Sequence, residues 1–132
     1  MTPDEARKLV QDAQAKKNKR KAEHNAKESA KRQKLYDEID QKFSGYMRDL
    51  YAVLVKHAAK GDSSCVVYID SFHRGNSDTL ECPYDVRNYL FRKVFESLTG
   101  AGYTVDANYR EADTDSESGQ TFGDYYMMEI KW

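Results

Sequence analysis

The residues equipped for chemistry sit in two polar loops and on one basic stretch. His73 shares the segment 70–82 (DSFHRGNSDTLEC) with Asp70 and Asp78, and Cys82 closes it. A histidine with two carboxylates is the raw material of a hydrolytic or nucleotidyl-transfer site. No nucleophile motif accompanies it, so the pattern reads first as an exposed histidine between a strand and a helix. A small enzyme centred on His73 is retained only as an alternative.

The second loop, Asp113-Thr114-Asp115-Ser116-Glu117-Ser118-Gly119 with Asp124 beyond it, has acids where a calcium loop has its first ligands. Its glycine comes one place late, the closing bidentate glutamate is missing, and the flanks read as strands. A solvated acidic hairpin loop fits better. Cys65 and Cys82 lack the close spacing of a zinc site and read as reduced, partly buried thiols. Gly100-Ala101-Gly102 follows a helix and precedes a strand, the reverse of a phosphate-binding order. No cofactor motif emerges, and the expectation is a protein that is not an enzyme.

The basic stretch is the sharpest signal. Lys16, Lys17, Lys19, Arg20, Lys21, Lys27, Lys31, Arg32 and Lys34 face only Glu23 and Glu28. At helical pitch, Lys16, Arg20, Lys27, Lys31 and Lys34 fall within a sector of about 60°. Ala15, Ala22, Ala26 and Ala30 form another side. Such a stripe suits phosphate contacts, which are salt-sensitive and independent of base sequence. An acidic protein surface is the alternative partner. No aromatic residue interleaves the stretch, so base stacking from it is not expected.

The elements that carry these residues follow from periodicity. Thr2, Pro3 and Glu5 spell a capped helix start, and Ala6, Leu9, Val10 and Ala13 add a short apolar stripe, with Leu9 and Val10 as docking candidates. The basic stretch continues as a solvated helix. A stronger stripe runs from Leu35 through Ile39, Phe43, Tyr46, Met47, Leu50, Val53 and Leu54 to His57, with a bend expected at Ser44-Gly45 and a stop at Gly61. Cys65–Ile69 reads as a central strand buried on both faces. Pro83 opens a helix with Val86, Leu90, Phe91, Val94, Phe95 and Leu98 on its apolar face.

Two strands of period two follow, Tyr103–Arg110 and Tyr125–Trp132, joined by the acidic loop 111–124, with Trp132 expected inside the core. The sum is an α+β fold: a long N-terminal helix, with or without a break, then strand–helix–strand–strand, with helices on one face of a small sheet. Residues 1–34 form a charged arm and 35–132 a compact domain. A winged-helix reading fails on two counts: the wing would be acidic, and the helix before it offers only Arg87, Arg92 and Lys93. Exposed members of the ten tyrosines suit a protein interface.

Net charge is −1, but residues 1–61 hold 15 Lys/Arg against 9 Asp/Glu, and residues 62–132 hold 6 against 13. A chain so polarised suits head-to-tail association or an arm meant for a polyanion. No run approaches the length of a bilayer span, and Met1 leads into a charged helix start instead of a signal peptide.

Glu5–Leu9 (EARKL), Ala58–Gly61 (AAKG), Gly102–Val105 (GYTV) and the closing Ile130–Trp132 (IKW) resemble a pattern of small bacteriophage proteins. The long basic stretch and the acidic loop depart from that pattern. The resemblance implies a viral origin, in the host cytoplasm or within a virion, and transfers no activity. The leading expectation is a non-enzymatic binding protein whose body engages a protein partner or itself. A virion structural component docking through its N-terminal helix is the other reading.

Overall fold

The computed structural model describes residues 1–73, 78–111, 113–114 and 121–132, with the side chains of 113, 114, 121 and 122 excepted. Helix α1 spans Pro3–Ala59. Strand β1 (Ser64–Asp70), strand β2 (Thr79–Glu81), a 3-10 turn (Tyr84–Val86) and helix α2 (Arg87–Gly100) follow it. Strand β3 (Thr104–Arg110), the short pair β4 (Asp113–Thr114) and β5 (Thr121–Phe122), and strand β6 (Tyr125–Lys131) complete the α+β fold. By its internal contacts the chain divides into two compact units, Met1–Lys34 and Leu35–Trp132.

The start of α1 is a reciprocal capping box. The Glu5 N–H donates to Thr2 Oγ1 at 3.2 Å, and the Thr2 N–H donates to Glu5 Oε2 at 3.1 Å. The helix runs through Ser44-Gly45 without interruption. It stops at Gly61, whose φ of 89° is open to glycine and strained for other residues. There the Asp62 N–H closes the last turn onto the His57 carbonyl at 3.1 Å.

In the second unit the main sheet has the order β2-β1-β6-β3. β1 pairs in parallel with β2 and antiparallel with β6, and β6 pairs antiparallel with β3. Cys65 and Val67 lie opposite Ile130 and Met128, so the alternation of both strands aims one set of side chains at the core. Leu50, Ile69, Leu90, Val94, Leu98, Met128 and Ile130 are fully buried in one cluster, to which Ile39, Met47 and Leu54 of α1 belong. Each such side chain contributes on the order of 1.5–3 kcal/mol by leaving water.

Four expectations change. Segment 70–82 is not all loop, because Thr79–Glu81 pairs with β1 as an edge strand. β1 is central but not buried on both faces: Val66 is exposed and Tyr68 half-buried, since helices cover only the other side. Trp132 is 44% exposed, beyond the last ladder residue. Ala107 and Tyr109 are exposed because β3 is the sheet's outer edge.

Candidate functional site

The arm presents its cations without obstruction. Every residue from Lys16 to Lys34 is exposed, and helix α1 carries all of them in one regular register. Over the 18 steps from Lys16 to Lys34 the stripe of five cations extends about 27 Å. Of Lys16, Lys17, Lys19, Arg20, Lys21, Lys27, Lys31, Arg32 and Lys34, only Lys31 holds an ion pair among the described residues, at 3.8 Å to Glu28. Leu9 and Val10 are also exposed, at 60% and 56%. Unit Met1–Lys34 has 11 Lys/Arg against 5 Asp/Glu.

The body treats its charges differently. Arg87 is 4% exposed and Asp70 is fully buried. Arg87 lies along the apolar face of α2, three residues before Leu90, and cannot serve a recognition surface. Its guanidinium sits 3.7 Å from Asp70 Oδ1 and 3.9 Å from Asp124 Oδ2, and stacks 4.3 Å from the Tyr84 ring centroid. The Tyr84 hydroxyl donates to Asp124 at 3.2 Å. A hydrogen bond to the same carboxylate pushes the Tyr109 hydroxyl up to about 12. These contacts tie together the ends of β1 and β6, the outer strand β3 and the start of α2. Lys93 is bound to Asp40, and that leaves Arg92 as the one cation of α2 at the surface without a carboxylate among the described residues.

His57 acts as a clip. Its Nε2 lies 2.9 Å from Asp78 Oδ2 and its Nδ1 lies 3.1 Å from Asp62 Oδ2. Hydrogen bonding to Asp78, then to Asp62, raises its pKa above the ordinary value. The clip joins the end of α1 to the approaches of β1 and β2. Asp78 is thereby bound to His57, and Asp70 lies beside Arg87.

Exposed His73 instead lines a cleft of about 680 Å³ between α1 and the free edge of β2. Its floor is Leu50, Val53, Val67 and Leu80, and its rim carries Tyr46, Asp49, Asp78 and Glu81. The Tyr46 hydroxyl donates to the Glu81 carbonyl at 2.9 Å, joining helix to strand. Cys65 and Cys82 are free and buried. Burial pushes their thiols up to about 11 and about 12, respectively.

The calcium-like loop falls largely outside the described residues. Among the described residues no three His, Cys, Asp or Glu side chains gather as a metal site, and no helix is long and apolar enough to cross a membrane. No family model, curated protein or solved structure matches the chain. Its own geometry therefore carries the functional argument.

The sequence pattern marked the basic stretch and put His57 at the edge of its helix's apolar stripe as a satisfied histidine, but missed its two carboxylate partners, the Arg87 cluster and the cleft. Arg87 was detectable in principle, because it keeps helical spacing with Leu90 and Val94. The cleft was not, because it depends on β2 pairing beside α1.

Proposed function

We propose that the chain is a non-enzymatic binding protein whose basic arm takes the phosphate backbone of nucleic acid. The observation that carries this reading is the surplus of exposed cations on α1. Nine cations stand against two carboxylates between Lys16 and Lys34, and among the described residues eight of the nine lie beyond ion-pair distance of any carboxylate. Glu23 and Glu28 lie three or four places from Lys19, Arg20, Lys27, Lys31 and Arg32, but two carboxylates cannot offset nine cations, so the stretch keeps a large positive surplus. Its five-residue stripe meets a surface whose charge repeats every ~1.7 Å along a duplex. Binding through such contacts is independent of base sequence.

A viral setting accords with the sequence resemblance and belongs to the same proposal. The body then serves as the folded base of the arm and as a surface for protein contact.

The test is fluorescence anisotropy with a random-sequence duplex across a salt series. Five to six phosphate contacts predict a loss of about 10³-fold in affinity between about 50 and about 200 mM salt. Substituting Lys16, Arg20, Lys27, Lys31 and Lys34 by Gln is expected to flatten that slope by up to about 4.5. Absence of binding at the lowest salt overturns the proposal.

A further inference from the structure

The cleft beside β2 is the complement of the arm. Its described lining includes three carboxylates, Asp49, Asp78 and Glu81, and no lysine or arginine. Asp78 is engaged by His57, while the Glu81 carboxylate has no partner among the described residues. Among the described residues Asp49 has only a 3.9 Å contact with the neighbouring Arg48, and both side chains are mostly in water. Beneath the carboxylates lies an apolar floor. A lysine side chain matches that layout, with its methylene stem on Val53 and Leu80 and its ammonium at the rim. The volume, about 680 Å³, exceeds what one side chain fills and accommodates neighbours one helical turn apart.

From this complementarity we infer that the cleft is a docking site for the basic shaft of a second copy of the same chain. The inference rests on the reading of the shaft as a set of free cations, and extends it by naming a protein partner. Charge balance singles out a second copy as the occupant. Unit Leu35–Trp132 carries 10 Lys/Arg against 17 Asp/Glu, opposite in sign to the arm and nearly equal in size. Each copy thus brings both halves of the contact at equal concentration. The contact is heterologous, so association closes reciprocally or grows head to tail. Because the cations that enter the cleft are those offered to phosphate, self-association and nucleic-acid binding exclude one another. Nucleic acid then acts as the agent that separates the copies.

Sedimentation of the full chain tests this, at protein concentrations near 100 µM and at about 20 and about 300 mM salt. The expected result is a mass above the 15.3 kDa monomer at low salt that returns to monomer at high salt or on adding duplex DNA. Asp49→Lys with Glu81→Lys should give a monomer, as should Lys27→Glu with Lys31→Glu and Lys34→Glu. Mixing the two variants should restore association, since each then supplies what the other lacks. All these positions except the cleft rim are on the fully exposed arm, and far-ultraviolet circular dichroism checks that the rim variant keeps its fold. A wild-type monomer at low salt overturns the inference, as does association indifferent to both charge reversals. If that monomer still binds DNA, the proposed function stands while the self-docking falls. If self-association holds and DNA is ignored, the reverse is true.

Discussion

The arm and the body are built from the same charged residue types, and they use them in opposite ways. In the body, Arg87 is enclosed by Asp70, Asp124 and Tyr84, Lys93 is held by Asp40, and Lys131 reaches Asp106 at 3.2 Å. In the arm from Lys16 to Lys34 only Lys31 has a carboxylate within ion-pair distance among the described residues. These paired body charges are therefore fastenings, whose loss should show in folding. Arm charges are contacts left open, whose loss should show in binding. A cation of a given type thus does different work according to whether a carboxylate lies beside it in the fold.

Removing Arg87 should break this comparison most severely if it is wrong. Arg87→Ala leaves Asp70 buried without its cation, and a broken buried pair costs about 3–5 kcal/mol. Urea denaturation followed by tyrosine fluorescence should show that loss, while Lys27→Ala changes the midpoint by less than about 0.5 kcal/mol. Equal effects would mean that the arm's charges are structural too.

The cysteines sharpen the same point kinetically. Both thiols are buried in the body, and the thiolate is the reactive form. With pKa values raised to about 11 for Cys65 and about 12 for Cys82, alkylation near neutral pH should be slow in the native state and fast in urea. The protection should collapse in Arg87→Ala at urea concentrations the wild type tolerates, and should be untouched by charge changes in the arm. Rapid labelling of the native protein would show a body that opens locally.

What could be read in the sequence was what depends on near neighbours. The capping box at Thr2 and Glu5, the glycine stop at Gly61 and the apolar stripe from Leu35 are local patterns, and they set the helix. The alternation around Met128 and Ile130 likewise set β6. Pairings that join distant segments were not legible. β2 has three residues and a mixed composition, so only its parallel partner β1 makes it a strand. Arg87 looked like a surface cation because its type outweighed its position. The exposure of Val66 and Trp132 depends on which sheet face the helices cover, a choice that periodicity leaves open.

The pH response follows from the His57 clip. Its folded pKa is raised, so the stabilisation is fully present below the unfolded value near 6.5 and is lost as pH rises through the folded value. Wild-type urea midpoints should therefore fall across that window, above pH of about 6.5. Asp78→Asn removes the first cause of the shift and should flatten the fall, with a smaller flattening in Asp62→Asn. A body midpoint that keeps its full slope in Asp78→Asn would show that another group titrates there.

The smallest expected effect gives the cleanest separation of arm and body. Ala26 lies on the alanine side of the shaft and is exposed, so Ala26→Gly removes no packing. It raises the local cost of helix by about 1 kcal/mol, through the backbone freedom glycine loses on ordering. In a helix stretch without a core of its own, that penalty is concentrated where no burial offsets it. All ten tyrosines, all five phenylalanines and Trp132 lie beyond Lys34, so aromatic signals report the second unit alone. Circular dichroism at helical wavelengths should lose amplitude in Ala26→Gly while the tyrosine-detected urea midpoint stays fixed. Nucleic-acid affinity should fall slightly, because fewer cations are held in one stripe before contact. If the aromatic midpoint moves together with the helical signal, order in the shaft is coupled to the fold of the body, and the two regions are a single cooperative unit.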